Sequence, residues 1–86
     1  MPLPIFNSAA DVGAALRDAI IAALPDARVQ VAASSPGHFE IEVISAAFAG
    51  KSMLQQQQLV YAAIKELMAG DSAPVHAIDK LRTKMP

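Results

Sequence analysis

Few side chains in this 86-residue sequence could do chemistry, and their types already narrow what that chemistry is. His38 and His76 are its two imidazoles, and the absence of cysteine removes thiolate nucleophiles, disulfides and cysteine-held metal sites from what the chain can build alone. Two imidazoles do not close a metal site. By type and spacing, His76, which follows Pro74 and Val75 at the start of a strand-like segment, reads as a hydrogen-bonding edge residue, and His38 carries a weaker signal still. Glu40 and Glu42 stand two apart, so on a strand both point to one side, as an acid and base pair would. With no pocket-forming loop beside them, that side reads as a solvated face. Gly50-Lys51-Ser52 matches the close of a phosphate-binding loop. That motif needs a glycine five positions before Gly50, where Ser45 stands, so Ser52 reads as a helix cap. Lys80, Arg82 and Lys84, with Arg28 and Lys51, could make a small basic edge, while Tyr61, as a lone aromatic, is expected in the core.

The elements that position these residues must come from one small domain spanning 1–86, with 1–7 expected to be a flexible N-terminal segment. Hydrophobic residues make up 53% of the chain and charged ones 17%, and at this length about 60 to 65% of the unfolded surface is buried on folding, enough for one modest core. Seven Lys plus Arg against eight Asp plus Glu leave a formal charge of −1, so no broad basic field draws nucleic acid or anionic membrane. No apolar run approaches the roughly 18 to 20 residues of a spanning helix, and Met1 to Phe6 lacks the positive start of a signal peptide. The expectation is a soluble, cytoplasmic protein without a membrane partner.

Ser8 and Asp11 have capping-box spacing, after which Val12, Leu16, Ala19, Ile20, Ala23 and Leu24 recur at helical period until Pro25. From Arg28 the period changes to two. Val29 and Val31, then Phe39, Ile41 and Val43, alternate with polar residues, and Ser34 to Gly37 supply turn chemistry, which predicts a hairpin in which Arg28 pairs with Glu42. Ser45 to Gly50 reads as a single turn that places Phe48 in the core. A longer helix follows from the Ser52 cap to Gly70, with Met53, Val60, Tyr61, Ile64, Leu67 and Met68 on one face. The run Gln55 to Gln58 covers every side of that helix, so a polar partner or a wet helix end is expected at Gln57. Val75 to Lys84 is strand-like but out of phase, and a one-residue bulge near Asp79 and Lys80 would return Ile78 and Leu81 to one face.

Taken together, Gly37-His38-Phe39, Val43-Ile44-Ser45, Phe48-Ala49-Gly50-Lys51-Ser52, Leu59-Val60-Tyr61 and Val75-His76-Ala77-Ile78 resemble the BolA-like proteins, in order and over nearly the whole chain. The resemblance implies an α/β (α+β) fold of the class II KH-like type: helix-strand-strand-turn-helix-strand, with a three-stranded mixed sheet covered by helices on one face. It also implies a non-enzymatic adaptor in iron-sulfur cluster trafficking or iron sensing. Such a protein pairs with a monothiol glutaredoxin and shares a [2Fe-2S] cluster held by the glutaredoxin cysteine, a glutathione thiol and residues of the BolA-like partner, the isolated chain binding none.

His76 matches the family's late histidine and is the implied cluster ligand. The loop Ala32 to Gly37 lacks the second His or Cys of many members, which leaves His38 as the substitute. A KH-like nucleic-acid-binding transcriptional regulator, using Lys51, Lys80, Arg82 and Lys84 on DNA, is the alternative. Gln56, Gln57 and Gln58 stand where many members carry a basic stretch, which removes phosphate contacts from that reading. The strand around Asp79 and Lys80 is one residue longer than is usual. When free, the chain is expected to be a monomer or weak homodimer.

Overall fold

A computed structural model describes residues 8–86; the expected flexible segment 1–7 lies outside the described residues. The elements are α1 (Ala9–Ala23), β1 (Arg28–Ser35), β2 (His38–Ile44), the 3-10 turn η1 (Ala46–Phe48), α2 (Met53–Met68) and β3 (Ala77–Lys84). Ser8 caps α1 by accepting the Asp11 amide at 3.2 Å. Val12, Leu16, Ile20 and Leu24 are buried along α1, whereas Ala23 faces solvent, off the apolar stripe.

β2 is the central strand, antiparallel to β1 and parallel to β3. A parallel neighbour requires a crossover, and η1 with α2 supplies it, which lays both helices over the same side of the sheet. Phe39, Ile41 and Val43 project into that side and meet Leu16, Ile20, Phe48, Val60 and Ile64 in the core. This is the expected α+β architecture with one covered face. The bulge is also where the period predicts it: Phe39 pairs with Ile78 and Glu40 with Lys80, leaving Asp79 as the surplus residue, so Ile78, Leu81 and Thr83 all turn inward.

Three expectations require correction. Tyr61 is 39% exposed and Met53 57%, because Val60 and Ile64 take the centre of the buried stripe of α2, with Leu59 and Ala63 packed beside them. The Tyr61 ring is left at the flank of that stripe, part exposed. Arg28 lies opposite Ile44 in the ladder, and Glu42 is paired instead with Lys84 at 3.4 Å. Finally, the polar partner expected at Gln57 belongs to Gln56, whose Oε1 accepts the buried Thr83 hydroxyl at 2.6 Å while its Nε2 donates to the Lys51 carbonyl at 2.9 Å. Gln55 completes a capping box with Ser52.

Buried Ser45 closes the end of β2. Its hydroxyl donates to Asp26 Oδ1 at 2.7 Å and accepts the Ala47 amide, and its own amide donates to the Lys84 carbonyl. The other oxygen of Asp26 accepts the Ala46 amide at 2.8 Å. The Ser45 bond, then the Ala46 bond, hold the Asp26 carboxyl below its ordinary 3.8. Among the described residues no helix is long and apolar enough to cross a membrane.

Two predictions test this packing. Phe48→Ala should lower stability by about 3 to 5 kcal/mol, because the buried ring leaves a cavity that the surrounding elements cannot fill. An unshifted urea midpoint would contradict it. A carboxylate with a lowered folded-state pKa contributes stability that is present above the unfolded value and lost as the pH falls through the folded one. Asp26→Asn should therefore be destabilising at neutral pH, with the difference from wild type shrinking as the pH falls below 3.8. A constant difference across that range would refute this.

Candidate functional site

The two histidines are far apart in sequence, and the sheet brings them to one end. Val75 is buried and its amide donates to the Leu67 carbonyl at 3.2 Å, which fixes the segment entering β3 against the end of α2. The next two amides, of His76 and Ala77, both donate to the Gly37 carbonyl, at 2.8 and 3.1 Å. His76 is therefore held by its backbone while its side chain is exposed. Its ring lies over the Gly37 α-carbon: a Cβ there would come within 2.9 Å of the His76 Cγ. Gly37 also has φ +77°, a backbone conformation that favours glycine, and any Cβ there would have to move the imidazole aside.

His38 begins β2, directly after Gly37 and opposite Ala77 in the ladder. Its Nδ1 lies 3.0 Å from Asp79 Oδ1, and Ser34 Oγ donates to Asp79 Oδ2 at 2.8 Å. The His38 bond, then the Ser34 bond, hold the Asp79 carboxyl below its ordinary 3.8. Both side chains stay accessible, 42% for His38 and 41% for Asp79. Asp79 reaches His38 because it is the bulge residue, released from the alternation that assigns its neighbours to a face.

Asp79, Ser34 and Gly37 were not among the sequence-predicted site residues. The surplus residue in β3 was the available signal for Asp79. The contacts of Ser34 and the ring over Gly37 depend on pairing across the sheet.

The structure therefore unites His76 and His38 at one end, each on a defined support. It does not unite Lys51 with Lys80, Arg82 and Lys84. The last three alternate along the open face of β3, and there Lys80 pairs with Glu40 and Lys84 with Glu42, each at 3.4 Å. Lys51 lies before α2, in a shallow concavity with Gln55, Gln58 and Leu59. The same ion pairs give Glu40 and Glu42 the solvated role expected of them. Among the described residues no group of three or more His, Cys, Asp or Glu converges as a metal site. Any metal centre at the histidine end must take further ligands from another molecule.

The family model described as "BolA-like protein" matches residues 21–86. Mouse BolA-like protein 1 is 43% identical over 56 residues, covering 65% of this chain and 38% of that protein. The cattle protein of the same name is 48% identical over 44 residues, covering 51% of this chain and 30% of its own length. The chain thus spans well under half of these curated relatives. The solution structure of mouse BolA1 superposes with a TM-score of 0.71 at 32% identity, covering 100% of this chain and 76% of that one. A bolA homologue from Coxiella burnetii gives 0.69 at 30% identity and 94% coverage of both chains.

Gly37→Ala should lower stability by about 1 to 3 kcal/mol through its left-handed backbone and push the His76 ring from its seat. Thermal unfolding reads the first effect and the imidazole proton shifts of His76 the second. Unmoved His76 shifts would contradict the described seat.

Proposed function

This chain belongs to the BolA-like protein family, and on that premise we propose that it is a non-enzymatic adaptor that pairs with a monothiol glutaredoxin and shares a [2Fe-2S] cluster with it, in iron-sulfur cluster trafficking or iron sensing. The observation that carries the proposal is the placement of His76, an exposed imidazole held by a buried neighbour and a backbone bond rather than by its own side chain.

A ligand to a cluster built between two proteins has to protrude and yet be positioned beforehand, because ordering a mobile side chain at the moment of binding weakens the complex. His76 protrudes from a backbone fixed by its amide bond, with its ring over Gly37. Imidazole is an apt donor to a cluster iron, and histidine in place of cysteine raises the cluster's potential. A [2Fe-2S] cluster needs four protein or thiol ligands, and this chain offers at most His76 and His38, so the glutaredoxin cysteine and the glutathione thiol supply the sulfur that it lacks. The cluster is cargo held between partners, and this chain contributes a surface and donors to it.

The reading as a DNA-binding regulator through Lys51, Lys80, Arg82 and Lys84 has less support. Two of the four cations, Lys80 and Lys84, are already paired with glutamates, and a third, Lys51, lies on another surface.

His76→Ala should leave the fold intact, since the backbone of residue 76 makes the structural bond, and should abolish the change that this protein induces in the visible circular dichroism of a cluster-loaded monothiol glutaredoxin. A wild-type response from the variant would remove His76 from the reading.

A further inference from the structure

Resting on the shared-cluster reading, we propose that Asp79 is the positioning residue for His38, holding its ring in the tautomer that keeps hydrogen on Nδ1 and presents Nε2 outward as a second donor at the His76 end of the sheet. An ionised carboxylate can only accept hydrogen bonds. With Asp79 Oδ1 at 3.0 Å from His38 Nδ1, the hydrogen lies on Nδ1, and in the neutral ring the free lone pair is then on Nε2. Ser34 holds the other carboxylate oxygen at 2.8 Å, so the acceptor is fixed from two sides.

The neighbouring charges do not compete for this ring. Glu40, two residues along β2, is engaged by Lys80. This is the arrangement in which metal-bound histidines are commonly held, one ring nitrogen on the metal and the other donating to a carboxylate, which fixes the ring and raises its basicity. It also explains the bulge. Without a surplus residue in β3, strict alternation would leave no carboxylate beside His38 while Ile78 and Leu81 both faced the core.

The test uses two readouts on the wild type, Asp79→Ala, Asp79→Asn and His38→Ala, with amide spectra confirming that β3 remains paired. Long-range proton–nitrogen correlation NMR on the free protein, at a pH where both imidazoles are neutral, should show His38 with hydrogen on Nδ1 in the wild type. That preference should be lost in Asp79→Ala and kept in Asp79→Asn, whose amide oxygen still accepts, while His76 is the same in all. A His38 ring with hydrogen on Nε2 in the wild type overturns the proposal without reference to any cluster.

In titrations against cluster-loaded monothiol glutaredoxin, Asp79→Ala should weaken association about 10- to 100-fold, and adding it to His38→Ala should weaken association no further. If Asp79→Ala binds like the wild type while His76→Ala does not bind, the positioning role fails and the adaptor reading stands. If the wild type itself leaves the glutaredoxin cluster unchanged, the adaptor reading fails and this inference falls with it.

Discussion

The Gly37 carbonyl accepts the amides of both His76 and Ala77, and the histidine end of the sheet depends on that shared acceptor. It joins the hairpin turn to the start of β3 and sets the parallel register in which His38 faces Ala77 and Phe39 faces Ile78. It seats the His76 ring over a residue whose left-handed backbone favours glycine. From the same register, the surplus residue of β3 falls at Asp79, within reach of His38 and Ser34. Parallel pairing has no tight turn to fix its register, so an anchor at the first residues of the strand does that work here.

The opposite end of the sheet is closed by different means. Asp26, Ser45 and the first amides of η1 form one connected set of hydrogen bonds, and Ser45 also binds the last carbonyl of β3 through its amide. Thr83, buried on β3, is satisfied by Gln56 of α2. Both buried polar side chains among the described residues therefore have partners, which avoids the penalty of an orphaned group in a core this small. One end of the sheet is sealed by polar contacts that face inward. At the other, similar contacts leave two imidazoles accessible.

Much of this was legible in the sequence where the physics is local. The periods of α1 and β2, the Ser52 cap, the Phe48 turn and the bulge near Asp79 each follow from residue spacing over a few positions. What was not legible depends on rotation and register. Tyr61 lies close to the apolar stripe of α2, and whether it is buried turns on how the helix sits over the sheet, which a lone periodic pattern leaves open. Gln56 rather than Gln57 meets a polar partner for the same reason. Proximity along the hairpin points Arg28 towards Glu42, but the parallel strand, invisible to hairpin reasoning, brings Lys84 to that glutamate. The ligand role of His76 comes from a family resemblance and not from its spacing. Its support by Gly37, and that of His38 by Asp79 and Ser34, join residues about 40 positions apart and required the folded chain.

The central claim is that this end of the sheet completes a cluster whose remaining ligands belong to a glutaredoxin. The most direct measurement is a titration of the wild-type protein into a monothiol glutaredoxin carrying a [2Fe-2S] cluster and glutathione, under anaerobic conditions, followed by visible absorption and circular dichroism. The account predicts a changed spectrum that saturates at an equimolar ratio, as imidazoles of this chain take ligand positions on the cluster. A glutaredoxin spectrum indifferent to excess protein would contradict it.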